Sequence, residues 1–167
     1  MNEDKNMWEY TEHNGYNSIS LHDCITASIY TDGNDLVMDF SDGFWITPVS
    51  KHNNNSTPAK TGAAQVRFHL MFPNEPFNSV DEFRTLHFLG KPLLSLRLKP
   101  DSSKVFSMFK DGKYELEFIT EYHAPLSALY QCILWKKGSR YVEEFQFEIY
   151  AKDIEYCWND ILPPRDF

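Results

Sequence analysis

Apolar and polar residues alternate along most of this chain with a period of two, the spacing of a strand with one buried face. Ile19, Leu21, Ile25, Ala27 and Ile29 alternate with Ser20, His22, Cys24, Thr26 and Ser28. Thr31-Asp32-Gly33-Asn34 then offers a tight turn, after which Leu36, Met38 and Phe40 resume the alternation, so a hairpin is predicted. Asp-Gly recurs at Asp42-Gly43 and at Asp111-Gly112, where it is expected to join a strand through Val105 and Phe109 to one carrying Tyr114, Leu116 and Phe118. Further strands are predicted at 65–72, 93–99, 127–136 and 141–151. In the last of these Phe145, Phe147 and Ile149 face inward, with Glu144, Gln146 and Glu148 outward. Leu129 to Trp135 is apolar on both faces and reads as a central strand.

Two segments break the pattern towards helix. Ser79 and Glu82 form a capping box ahead of Phe83 and Leu86, with Gly90 and Pro92 as stop signals. Ile154, Cys157, Trp158 and Ile161 follow helical spacing before Pro163-Pro164. Residues 48–62 hold three consecutive Asn and two Pro, and read as a flexible exposed loop. The expected fold is all-β: one globular domain over 1–167, a predominantly antiparallel sandwich or partly closed barrel of about eight to ten strands with one or two short helices.

Composition adds a large aromatic payload and a lopsided charge. Aromatic residues make up 16% of the chain, with 13 Phe and 9 Tyr, enough for large cross-strand pairs or an aromatic-lined pocket. The net charge of -8 lies wholly within residues 1–42, where nine acids face Lys5 alone; the rest of the chain balances. Such a field steers basic partners and repels phosphate backbones. Lys136-Lys137-Gly138-Ser139-Arg140 is too small a cluster to read as a nucleic-acid stripe and is expected to be a hairpin tip. Cys24, Cys132 and Cys157 lack CxxC spacing, and the N-terminus lacks the blocks of a secretion signal. A cytoplasmic protein with free thiols is therefore expected, and the Asn-X-Ser/Thr matches at Asn54 and Asn55 carry no weight. No apolar run approaches the roughly 20 residues needed to span a bilayer, so neither membrane nor nucleic acid is expected as a partner.

Candidate chemistry is sparse. Asp23 falls on the apolar face of the predicted strand 19–29, where an unpaired carboxylate costs several kcal/mol. It reads as a ligand contact, as an ion pair with Arg67 or Arg97, or as a residue turned outward by a bulge. His22 and Cys24 would share a strand face and are weak metal candidates; His13, His52, His69, His87 and His123 are scattered without metal-ligand spacing. There is no GxSxG elbow and no phosphate-binding glycine loop. Glu115 with Glu117, and Glu143 with Glu144, read as solvated surface rather than a glycosidase pair.

The primary expectation is a non-catalytic binding protein without cofactor. Its acidic N-terminal face, containing Asp23, Asp32, Asp35, Asp39 and Asp42 with Trp45 as an apolar anchor, meets a basic protein, for example a cationic toxin to which this chain is the antidote. Alternatives are a small-molecule or carbohydrate binder with a barrel mouth, and a hydrolase or metal enzyme using Asp23 and His22. A homodimer through an exposed edge strand is compatible with all three.

Overall fold

A computed structural model describes residues 8–163. It has thirteen strands and one helix: β1 Tyr10–His13, β2 Ile19–Ser20, β3 Ile25–Thr26, β4 Ser28–Asp32, β5 Asp35–Phe40, β6 Trp45–Ile46, β7 Ala59–Lys60, β8 Ala64–Leu70, β9 Ser79–Phe88, β10 Lys91–Leu98, α1 Ser102–Lys110, β11 Tyr114–Ala124, β12 Ser127–Lys136 and β13 Val142–Trp158. Every pairing is antiparallel. Ten strands form one sheet and β2-β6-β7 a second, and the large sheet does not close into a barrel.

The organising element is β13. Its first half lies between β12 and β9, and its second half between β8 and β1. The register shifts beside Lys152, between Ala151 and Asp153, where one extra residue bends the strand and passes it from one half of the sheet to the other. The two halves face each other across an aromatic core: Phe40 of β5 lies 5.5 Å from Phe118 of β11, and Phe68 of β8 lies 6.0 Å from Tyr130 of β12, between ring centroids. The small sheet closes one end, where Phe44 meets Tyr156 and Trp158 edge-on. Gly43 sets that corner at φ +68°, with a Cβ on it placed 2.1 Å from the Gly62 carbonyl.

Both predicted helices are corrected. Residues 79–88 form β9, in which Val80 and Glu82 point inward, and Gly90 is a hairpin turn rather than a helix stop. Residues 154–158 continue β13: Ile154, Tyr156 and Trp158 fill the core, while Cys157, on the other face, is buried between its cross-strand neighbours Thr11 and Gln65. Burial on both faces imitates helical spacing. Conversely, the predicted strand at 105–109 is α1. Asp101 caps it by accepting the Lys104 N–H at 2.9 Å, Val105, Met108 and Phe109 are its buried face, and Gly112 at φ +60° ends it.

The strand expected over 19–29 is broken into β2, a turn and β3. Glu121 on β11 accepts the Leu21 N–H at 2.7 Å, and the Phe118 carbonyl accepts that of Asp23 at 2.8 Å, hooking the segment across β11. Residues 48–62 are organised by buried Asn53, whose amide donates to the carbonyls of Ile46 and Thr57 at 3.0 and 2.9 Å, and they contain β7.

Candidate functional site

The outward face of β4-β5-β8-β13-β1 gathers five carboxylates, three of them from the acidic first 42 residues. Registers place its side chains in three rows running across the strands: Ser28–Asp39–Gln65–Cys157–Thr11, Tyr30–Val37–Arg67–Glu155–His13, and Asp32–Asp35–His69–Asp153. Asp32 and Asp35 are direct cross-strand partners, an arrangement in which like charges repel. Arg67 resolves it by donating to both, at 2.8 and 3.1 Å. His69 Nδ1 lies 2.9 Å from Asp35 and its Nε2 lies 3.4 Å from Glu155, while His13 Nδ1 meets Asp153 at 2.5 Å. Asp39 accepts from Gln65 and Ser28 at 2.8 and 3.0 Å. Asp32 remains 61% exposed at its side chain, and Tyr30 is the exposed aromatic beside it.

Of the sequence candidates, Asp32, Asp35 and Asp39 come together here. Asp42 is exposed in the turn after β5. Trp45 stands half-buried on β6 in the other sheet, with the Lys60 ammonium 4.7 Å from its ring centroid. Asp23 is not on an apolar face: it occupies an exposed turn at φ +57°, 3.5 Å from His22. Its partner is thus neither Arg67 nor Arg97. His22 and Cys24 do not share a face either. His22 is exposed, with Nδ1 2.7 Å from the Ile119 carbonyl, whereas the Cys24 thiol is buried and pushed up to about 11 by that burial, with nearby Lys60 pulling the other way. Among the described residues no group of three or more His, Cys, Asp or Glu is arranged to hold a metal ion.

Three features were not singled out in the sequence. The first is a half-buried carboxylate–imidazole pair, Glu121 and His123, 3.3 Å apart, with His123 stacked on Tyr16 at 4.3 Å. Among the described residues His123 Nδ1 and the Tyr130 hydroxyl have no hydrogen-bond partner, and burial raises the Tyr130 phenol well above its ordinary value. Such a pair can relay a proton, yet Glu121 is already engaged by Leu21 and Ser20. Alternation places Glu121 and His123 on one strand face, but only folding brings Tyr16 to them.

The second is a charge cluster at the root of β9. Arg97 forks onto Asp81 at 2.7 and 2.8 Å, and the hydrogen bonds it donates hold that carboxyl below the usual range. Behind it, Glu82 is buried against Arg84, and Glu143 of β13 is raised first by burial and then by its hydrogen bond with Glu82. Next to this cluster a groove of about 800 Å³ is lined by Phe83, Arg97, Gln131, Ile133, Glu144 and Gln146.

The third is the outer part of the β9–β10 hairpin. β9 pairs with β13 only from Ser79 to Phe83, so beyond that point the hairpin pairs with itself. Leu86, Phe88, Leu89, Leu93 and Leu94 on it are all exposed. No helix among the described residues is long and apolar enough to cross a membrane. No family model, curated protein or solved structure matches the chain.

Proposed function

We propose that this is a non-catalytic cytoplasmic protein whose acidic sheet face binds a basic protein, an antidote to a cationic toxin being the concrete form. The observation that carries the reading is the outward ladder on β4, β5, β8 and β13. Asp32, Asp35, Asp39, Asp153 and Glu155 are five carboxylates around one guanidinium, Arg67, leaving four charges uncompensated when His13 and His69 are neutral. Adjacent strands fix their spacing, so little side-chain ordering is left to be paid on docking. Tyr30, rather than the distant Trp45, supplies the exposed aromatic anchor. Asp35 and Asp39 are held among intramolecular partners, whereas Asp32, although it accepts from Arg67, is the one whose carboxylate stands out into solvent to meet a further cation.

The test is affinity capture from host lysate with the wild type and with a Tyr30→Ala, Asp32→Lys variant, after confirming equal thermal unfolding. The expected outcome is one stoichiometric basic protein, weakened by salt and lost in the variant. Capture that is unchanged by the variant would sink the reading.

The small-ligand alternative takes a different place from the one expected. The sheet does not close, so there is no barrel mouth, and Asp23 is exposed in a turn. The groove above Phe83, Ile133 and Gln146 is the concave surface that favours it.

A further inference from the structure

The apex of the β9–β10 hairpin contradicts two physical preferences at once. Phe88 pairs with Lys91 across a two-residue loop, Leu89-Gly90, and both loop residues have positive φ, 49° and 77°. That is the pattern of a type I′ turn, which favours Asn-Gly. Leucine in the left-handed region is strained by its Cβ. It is also 88% exposed, with Phe88 at 64% and Leu93 at 70%. An asparagine at 89 would suit both the backbone and water better.

The apolar residues surround the end of the ribbon rather than lining one side. Cross-strand pairs share a face, so Leu86, Leu94 and Phe88 lie on one face, Pro92 with His87 on the other, and Leu89 at the apex. A partner protein docking on one face would leave the remainder in water. Insertion of the end into an apolar fluid covers all of it. From Phe88 to Leu86 the apolar end spans three residues, about 10 Å with the turn at ~3.3 Å per residue, which matches the depth of the interfacial zone of a bilayer.

The charge left unpaired behind that end is basic. Residues 83–99 contain Arg84, Lys91, Arg97 and Lys99; Arg84 is paired with Glu82 and Glu143 and Arg97 with Asp81 at the root, which leaves Lys91 beside the apex and Lys99. The β12–β13 turn adds Lys136 and Arg140, with Lys137 facing Glu115 at 3.7 Å, and stacking of Tyr141 on His87 at 3.9 Å brings the turn alongside the ribbon. A basic collar below an apolar tip is complementary to anionic headgroups above acyl chains.

We propose that the β9–β10 hairpin docks this protein on the surface of an anionic lipid bilayer, with Phe88, Leu89 and Leu93 entering the interfacial zone and the Lys91 and Arg140 charges meeting headgroups. This departs from the sequence expectation of no membrane partner, which rested on the lack of a spanning segment; docking needs none. It goes beyond the acidic-face reading and does not depend on it.

The test is co-sedimentation of the full chain with vesicles of phosphatidylcholine alone and of equal parts phosphatidylcholine and phosphatidylserine. Binding is expected to the mixed vesicles, to fall with salt, and to drop about tenfold or more in Phe88→Ser, Leu89→Asn, since an aromatic ring and a leucyl side chain leave the interface. Leu89→Asn alone preserves the turn and should fold at least as well as the wild type, and Lys91→Glu, Arg140→Glu should weaken binding without touching the apex. Absence of binding to mixed vesicles at low salt overturns the proposal. So does equal binding to phosphatidylcholine alone, or binding indifferent to the apex substitutions. The assay contains no protein partner, so its failure leaves the acidic-face reading standing, and failure of lysate capture leaves this one.

Discussion

The acidic ladder and the β9–β10 hairpin are both surface, but they are stabilised in opposite ways. On β5, β8 and β13 the ladder side chains sit on strands with partners on both sides, β4 forming the edge, above a core containing Phe68, Tyr156 and Ile154, and their charges are tied by Arg67 and His69. The outer hairpin has Tyr141 stacked on its His87 but no further strand beside it among the described residues, and an isolated two-stranded ribbon is marginal in water. Its polar ties lie at its root, in Asp81–Arg97 and in Glu82, Arg84 and Glu143. The difference teaches that charge on this protein is held rigid where the sheet is thick, while exposed apolar surface is carried where the fold contributes least.

The sharpest way to break that contrast is to remove matched apolar groups from the two regions. Phe68→Ala, beneath the ladder, should cost about 3–5 kcal/mol in chemical denaturation, whereas Leu94→Ala on the ribbon should fall within about 0.5 kcal/mol. Comparable losses would mean that the ribbon packs on something in the free protein. Gly43→Ala comes next. With φ positive and the Gly62 carbonyl in the way, it should lose more than about 2 kcal/mol and loosen the small sheet without altering the hairpin, as hydrogen exchange would report.

Arg67→Met should cost about 1 kcal/mol, because Asp32 and Asp35 are left facing each other while solvent screens Asp32. Added salt should recover part of that loss, and a salt-independent loss would locate the effect in packing over Val37 instead. At the root of the hairpin the sign runs with protonation. Glu143 is raised in the fold, so its contribution is fully present below the ordinary carboxylate value and is lost as pH rises through the raised one. Asp81 is lowered, so its contribution is present above the ordinary value and is lost as pH falls through the lowered one. Hydrogen exchange of the hairpin, corrected for intrinsic rate, should therefore show protection declining on the alkaline side of the carboxylate range, and Glu143→Gln should flatten that decline. The smallest effect is Leu89→Asn, a gain of about 0.5 kcal/mol from relief of left-handed strain, visible as a small rise in Tm.

Legibility followed the number of faces each segment buries. The β12 run from Ser127 to Lys136 and the hairpin at Gly33-Asn34 are where alternation and turn chemistry place them, since both signals are local. Residues 154–158 read as helix because Cys157, on the outward face, is buried between its cross-strand neighbours Thr11 and Gln65, so that apolar positions fall on both faces. Residues 105–109 read as strand because a short amphipathic helix beside Asp-Gly shares the turn signature of a hairpin. The aspartates of the ladder were visible as charge, but Arg67 as their shared partner was one of two choices for a different aspartate, Asp23. Nothing local distinguished Leu86, Phe88, Leu93 and Leu94 from core.

The sequence by itself determined the β class, the antiparallel hairpins and the acidic end of the chain, because periodicity, turn residues and charge are properties of neighbours along the backbone. Tertiary structure decided which apolar residues are left in water, which carboxylates share a guanidinium and where the sheet folds over. Each of those depends on which strands flank β13, and that pairing brings together residues as distant as Thr11 and Cys157.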